Sequence, residues 1–346
     1  MIRLLVSVFT VIVSLCAACT STSPAPTGSA APPATGQARL TSVADVQLPG
    51  DTSRWDYQSI DPQSHRLFIA HLGAGEVVVY DTEHASVVGT VRGIAGVHGV
   101  MAVPELRRVY ASATDAQQIA VIDADSLAVS AMVPSKGYPD GLAYAAEVGK
   151  VYVSDEKDGN ETIIDAKTNA ALGAVAVGGE AGNTQYDPVS HHIFVAVQTK
   201  NQLVDIDPVT NKVMQRYDTP GCDHPHGLLI DAEQHRAFVA CQGNNKLIVM
   251  HMPSMEVIST QDVGSGPDVL ALDASLRLVY VAAENGPLAI FSSADTGVTR
   301  IAFESAGPNA HSVAVAPDTH HIFLPLANIN GHPVLRELAV DVPQQN

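Results

Sequence analysis

An aromatic residue returns along this chain about every 42 residues, and this interval constrains the fold more than any other feature. The successive gaps are 42, 42, 42, 44, 42 and 43 residues, and the positions are Phe68, Tyr110, Tyr152, Phe194, Phe238, Tyr280 and Phe323. Each repeat holds four short β-rich runs separated by turn residues, in the second repeat 96–103, 108–111, 119–123 and 127–133. A period of 40–50 residues with four strands is typical of a β-propeller blade. The sequence therefore predicts an all-β fold, a seven-bladed β-propeller of four-stranded antiparallel blades.

The last repeat lacks an outer strand, because its third run ends at Val342. Residues 39–48 are strand-like and have no other partner in the repeat scheme. We expect this N-terminal strand to complete the last blade and close the ring. A closed ring has no edge strand that requires a second subunit, so we expect a monomer.

Residues 1–19 have the pattern of a secretory signal peptide. Arg3 precedes an apolar run at 4–15, which is too short to span a bilayer, and Ala17, Ala18 and Cys19 follow. Cleavage near Ala18 and lipidation of Cys19 are the two processing routes, and we expect the lipoprotein route. The uncharged residues 20–37 predict a flexible Ser/Thr/Pro/Ala tether, which leaves 38–346 as a single propeller. These features predict export to the periplasm or cell surface, with membrane contact only through the lipid anchor.

The charge of the chain excludes one class of partner. A formal net charge of −17 opposes binding to a phosphate backbone, and no cluster of Lys and Arg offsets it. No nucleic-acid partner is therefore expected. The nucleophile, phosphate-loop and zinc-protease motifs Gly-x-Ser-x-Gly, Gly-x-x-x-x-Gly-Lys-Ser/Thr and His-Glu-x-x-His do not occur, so no motif supports a hydrolase directly.

Asp and His are concentrated twelve residues before the aromatic anchors. The seven positions are Asp56, His98, Asp140, Gly182, His226, Asp268 and His311. In a propeller these positions begin the innermost strand of each blade, so we expect them to surround one mouth of the central channel. With the neighbouring Trp55, Asn183 and His224, the six ionisable residues form the predicted ligand-binding set.

Three interpretations of these residues remain open. The side chains can cap the inner strands, bind a small polar ligand or an envelope protein, or hold a divalent metal such as Zn, Mn or Fe. Opposite blades are far apart, so His226, Asp268 and His311 from adjacent blades are the predicted metal ligands. A metal-dependent, lactonase-like hydrolase or lyase would draw its base from His98, His226 or His311. Binding without turnover is the expected function, with an enzyme or a structural scaffold as alternatives.

The repeat unit resembles the YVTN family of β-propellers. The resemblance rests on Pro139-Asp140-Gly141, Lys150-Val151-Tyr152-Val153 and Ile163-Ile164-Asp165. The stretches at 55–57, 96–100 and 222–241 are similar to the YncE-like branch. This resemblance covers about 300 residues and implies an exported propeller, mostly without an assigned reaction.

Cys222 and Cys241 flank the first two strands of the fifth repeat. If Leu229 pairs with Phe238, a regular antiparallel register places His226 opposite Cys241. Both a disulfide and a metal site of Cys222, His224, His226 and Cys241 are compatible with this arrangement. Export and the family resemblance favour the disulfide.

Overall fold

The computed structural model describes residues 38–341. The predicted signal peptide, Cys19 and the tether lie outside the described residues. Between residues 38 and 341 no helix is long and apolar enough to cross a bilayer.

Short strands account for most of the described chain. They are β1 (Arg39–Gln47), β2 (Gln58–Asp61), β3 (Arg66–His71), β4 (Glu76–Asp81), β5 (Ser86–Arg92), β6 (Val97–Val103), β7 (Arg108–Ala113), β8 (Gln118–Asp123), β9 (Val129–Pro134), β10 (Pro139–Ala145), β11 (Lys150–Asp155), β12 (Asn160–Asp165), β13 (Ala170–Ala176), β14 (Ala181–Asp187), β15 (His192–Val197), β16 (Gln202–Asp207), β17 (Lys212–Asp218), β18 (Pro225–Asp231), β19 (Arg236–Cys241), β20 (Lys246–His251), β21 (Glu256–Asp262), β22 (Pro267–Asp273), β23 (Leu278–Ala283), β24 (Pro287–Ala294), β25 (Gly297–Ser305), β26 (Ala314–Val315), β27 (Ile322–Ile329) and β28 (His332–Asp341). Single-turn 3₁₀ helices occur at Leu72–Ala74, Pro104–Leu106, Thr114–Ala116, Ala146–Val148 and Gln198–Lys200.

These strands form seven four-stranded antiparallel sheets, which confirms the predicted β-propeller. Blades one to six are β2–β5, β6–β9, β10–β13, β14–β17, β18–β21 and β22–β25. Blade seven has the order β26-β27-β28-β1, with Arg39 opposite Asp341 and Gln47 opposite Val334. The N-terminal strand therefore closes the ring, as the sequence predicted. The innermost strands β2, β6, β10, β14, β18, β22 and β26 contact one another in that order and return to β2.

The hydrophobic core lies mainly between neighbouring blades. The aromatic anchors are all buried, from fully for Phe68 and Tyr110 to 4% exposed for Phe194. One cluster joins Phe68 and Val79 of blade one to Val100 and Val109 of blade two. Each blade thus buries its faces against its two neighbours, which explains why the apolar pattern recurs with the blade period.

The Arg or Lys that begins the second strand of several blades forms a hydrogen bond to the next blade. The bonds run from Arg66 to the Ala124 carbonyl, Arg108 to Ala166, Lys150 to Pro208 and Arg236 to Ala294, each 58 residues downstream. These charged donors satisfy carbonyls at the end of the third strand or directly after it. The basic residue of the repeat therefore connects one blade to the next.

Replacing Arg108 with methionine tests this connection. We expect the free energy of unfolding to fall by about 1.5 kcal/mol. Methionine keeps the packing of the aliphatic stem but cannot donate the charged hydrogen bond to the Ala166 carbonyl. Urea denaturation would measure the change. Arg107→Met is the matched control, since the Arg107–Asp125 pair is exposed and should contribute less than about 0.5 kcal/mol. Equal effects of the two substitutions would contradict the interpretation.

Candidate functional site

Polar side chains line one mouth of the central channel. They surround a cavity of about 160 Å³. The lining residues are Arg54, Asp56, Tyr57, His98, Asp140, Glu156, His226, Gln242, Asp268 and Glu284. Five of the ten are carboxylic acids, so the mouth suits a cationic or strongly hydrogen-bonding ligand better than an apolar one.

In each of blades two to six, a β-bulge contains the residue that lies twelve positions before the aromatic anchor. In blade three, Pro139 pairs with Asp155 and Leu142 with Val153, so Asp140 and Gly141 both stand opposite Ser154. The same irregularity includes His98, Gly182, His226 and Asp268 in their blades. A bulge redirects a side chain relative to a regular strand, which brings this position of the repeat to the channel mouth.

The bulge also corrects the register predicted for blade five. Leu229 does pair with Phe238, but Pro225, not His226, lies opposite Cys241. Cys222 and Cys241 form a disulfide with a Cα–Cα distance of 5.2 Å. The alternative metal site of Cys222, His224, His226 and Cys241 is therefore excluded, because both sulfurs are already bonded.

Asp56, Asp268 and His311 come together at the mouth from three adjacent blades. One ligand atom from each lies within 4.8 Å of the other two, and the residues are 2%, 4% and 2% exposed. The Nε2 atom of His311 is 3.8 Å from Oδ1 of Asp56. Two atoms that each lie about 2.1 Å from one ion are at most about 4.2 Å apart. The 3.8 Å spacing fits this limit, and a spacing near 4.8 Å would have to shorten slightly when an ion binds. This set keeps Asp268 and His311 of the predicted ligands and contains Asp56 where His226 was expected.

The orientation of His311 leaves one ring nitrogen available. Its Nδ1 donates to the carbonyl of Asn309 at 3.1 Å, which leaves Nε2 facing Oδ1 of Asp56. Among residues 38–341, the buried Nε2 of His311 has no hydrogen-bond partner, and Oδ1 of Asp56 lies 3.8 Å from it. A buried polar atom without a partner is costly, so this nitrogen can gain from binding a further group.

His226 lies beside the triad and contacts Asp268. Its Nε2 is 3.2 Å from Oδ1 of Asp268, and its Nδ1 has no partner within the described chain. Burial would lower the pKa of His226, but Asp268, Asp140 and Glu156 outweigh burial and raise this pKa to about 9. For Asp268, burial acts to raise the pKa and the neighbouring His226, His311 and Arg54 lower it overall. The two residues therefore form a charged pair at neutral pH.

Asp140 is a buried acid near this pair. It is 3% exposed, and its Oδ1 has no partner among the residues described. Burial, followed by the charge of Asp56, raises the pKa of Asp140 well above its ordinary value. Asp140 therefore keeps its proton to a higher pH than an exposed aspartate does, and in the protonated form it can donate a hydrogen bond to a ligand in the mouth.

Tyr57 crosses the channel below the mouth. This residue of blade one donates from its hydroxyl to Oδ1 of Asn183 in blade four at 2.6 Å. Burial and the surrounding carboxylates raise the pKa of Tyr57 well above its ordinary value, so the donor stays protonated. A second cavity of about 180 Å³ is lined by Tyr57 and by residues of the inner strands. Blade four, which departs from the Asp/His pattern, supplies the acceptor for Tyr57 through Asn183.

The remaining predicted residues lie in different environments. Both nitrogens of His98 are engaged, Nδ1 with the Gly96 carbonyl at 2.8 Å and Nε2 with the Tyr138 hydroxyl at 3.1 Å. His224 is half-exposed and bonds to Asp223 at 2.9 Å. Trp55 is 1% exposed and stacks on His71 with ring centroids 3.9 Å apart, so it belongs to the core and not to the lining of the mouth.

The fold and the site define a class of protein, a seven-bladed β-propeller with an Asp/His group at its channel mouth. Among solved structures, the chain is similar to Kuenenia stuttgartiensis hydrazine synthase, with a TM-score of 0.72 and 14% sequence identity. The match covers 85% of this chain and 97% of that chain, and at this identity it shows the shared fold alone. No protein-family model and no curated protein sequence matches the chain.

Proposed function

We propose that the channel mouth binds one divalent metal ion through Asp56, Asp268 and His311. The observation that carries the proposal is the convergence of ligand atoms from these three buried residues within 4.8 Å, with Nε2 of His311 lacking a partner in the described chain. Two carboxylates match the charge of a divalent ion, and the mixed oxygen and nitrogen set suits Zn, Mn or Fe. Three protein ligands leave coordination positions open for a small polar ligand from the mouth.

We place this site in an exported propeller of the YVTN type, of the YncE-like branch, held at the cell envelope by a lipid on Cys19. The seven repeats and the signal-like N-terminus support this assignment. The disulfide between Cys222 and Cys241 supports it as well, because such bonds persist in oxidising compartments. In this setting the protein acts as a binding module for a small polar ligand or an envelope protein.

Metal analysis of the full chain, exported without an affinity tag, tests the proposal. We expect near-stoichiometric metal by ICP-MS, and its loss in an Asp56→Asn/His311→Ala double variant. His98→Gln is the control, because neither nitrogen of His98 is available, and it should retain the metal. His226→Ala should also retain it, whereas a site built on His226 would lose it. A wild-type protein that binds no ion after loading with Zn, Mn or Fe would refute the proposal.

A metal-dependent hydrolase or lyase is the second candidate. The observation that favours it is His226, whose Nδ1 is buried without a partner in the described chain beside Asp268. A residue so placed can transfer a proton to or from a molecule bound at the open metal positions. The metal-loaded protein should then turn over small lactones, and His226→Gln should remove turnover while the metal remains bound.

A further inference from the structure

We infer that Glu284 is a positioning residue that holds the three metal ligands in place through Arg54 and Asn309. This inference rests on the proposed metal site. Oε1 of Glu284 accepts from Nη1 of Arg54 at 2.8 Å, and Oε2 accepts from Nδ2 of Asn309 at 2.7 Å. One carboxylate in blade six therefore connects blade one with blade seven.

Each partner of Glu284 lies two residues before a metal ligand. Arg54 precedes Asp56, and Asn309 precedes His311, so the two bonds fix the chain directly upstream of both ligands. Glu284 follows β23 in blade six, whose inner strand β22 contains the third ligand, Asp268. Nη2 of Arg54 is also 3.8 Å from Oδ2 of Asp268. The network thus reaches all three ligand-bearing blades.

The bond to Asn309 acts on the ring orientation of His311. The carbonyl of Asn309 accepts from Nδ1 of His311, and Oε2 of Glu284 lies 3.8 Å from the same nitrogen. Asn309 has a φ of 53°, which lies in the left-handed region. The direction of its carbonyl depends on this conformation. The side-chain bond to Glu284 supports the conformation. Groups that orient a ligating histidine in this way commonly contribute 10- to 100-fold to metal affinity.

The position of Glu284 is itself well defined. Its amide nitrogen donates to the carbonyl of Gly266 at 2.9 Å. A Cβ atom on Gly266 would lie 3.1 Å from Cβ of Glu284, so the glycine allows the stem of Glu284 to lie close to the backbone. The Glu284 side chain is 26% exposed, whereas the Arg277–Asp295 pair of the same blade is 43% and 77% exposed. The carboxylate of Glu284 is therefore more buried than the carboxylate of an exposed ion pair in the same blade.

Two substitutions remove parts of this network and keep the ligands. Asn309→Gly loses the side-chain bond while glycine retains the left-handed backbone conformation. Glu284→Gln keeps one acceptor oxygen and so cannot accept from both Arg54 and Asn309. Asp295→Asn is the matched control, since it removes the charge of the carboxylate that pairs with Arg277 at 2.8 Å in the same blade, away from the mouth.

The test measures metal affinity by competition with a chelator, using Zn and Mn, together with the visible spectrum of the Co-loaded full chain. We expect Asn309→Gly and Glu284→Gln each to weaken binding about 10- to 100-fold and to shift the Co spectrum, while the control matches wild type. The double variant should bind metal no more weakly than the weaker-binding single variant, because both substitutions act on the same Glu284–Asn309 bond. Wild-type affinity and spectrum in either folded variant would overturn the inference. Failure of the wild type to bind metal would instead refute the proposed function.

Discussion

Glu161→Leu is expected to raise the free energy of unfolding by about 1–3 kcal/mol near neutral pH. Glu161 lies in β12 and is fully buried. Among residues 38–341 neither carboxylate oxygen makes a hydrogen bond of good geometry, although the Thr184 hydroxyl is near enough to oppose the rise in its pKa. The equivalent position in other blades is aliphatic, namely Val77, Ile119, Leu203, Leu247 and Leu288. Leucine would therefore replace an unsatisfied polar group by a side chain that this position of the blade already accepts.

The gain from this substitution should depend on pH. Burial, and then the charge of Asp155, raises the pKa of Glu161 well above its ordinary value of 4.5. Above pH 4.5 the unfolded chain releases this proton and the folded chain keeps it, so ionisation favours the unfolded state. Wild-type stability should thus fall, relative to the variant, as pH rises from 4.5 towards the raised pKa.

Urea denaturation at several pH values between 4.5 and 8 would measure this effect. Glu161→Gln is the control, because it keeps the shape and polarity of the side chain but cannot ionise. The difference between wild type and Glu161→Gln should be small at pH 4.5 and grow with pH in the same direction as for leucine. A difference that is independent of pH, or a less stable leucine variant near neutral pH, would contradict the prediction.

Removal of the disulfide is expected to lower the free energy of unfolding by about 3 kcal/mol. The bond joins Cys222 and Cys241 across a sequence separation of 19, so it restricts the unfolded chain over a loop of that length. Cys222→Ala/Cys241→Ala is the appropriate double variant, since both positions lie in an apolar cluster with Leu228 and Val239. Alanine avoids placing a hydroxyl in that cluster.

A reducing agent provides the control for this second prediction. Reduction should destabilise the wild-type protein by a similar amount and leave the double variant unchanged. Urea denaturation with and without reductant measures both. Equal stability of the oxidised wild type and the variant would show that this bond does not restrict the unfolded chain as expected.

The architecture could be predicted from the sequence because it depends on a repeated pattern. The number of times the aromatic anchor recurs from Phe68 to Phe323 gives the number of blades. The last repeat lacks an outer strand, and residues 39–48 supply it. Repetition also places Asp56, Asp140 and Asp268 at equivalent points of their blades. Such features follow from local strand pairing, which neighbouring residues largely determine.

The details of the site could be predicted only in part. Whether His226 or Asp56 joins Asp268 and His311 depends on how three loops are shaped, and no spacing in the sequence reports this. The burial of Trp55 had a usable signal, since adjacent residues of an extended segment point to opposite sides and Asp56 points to the mouth. Glu161 could also have been found, by comparing the third strands of the blades.

Tyr57 contributes to two cavities at once. Its bond to Asn183 spans the channel between blades one and four, and the residue lines both the mouth cavity and the second cavity. A shorter side chain at this position would therefore enlarge both cavities and remove a contact between the two blades.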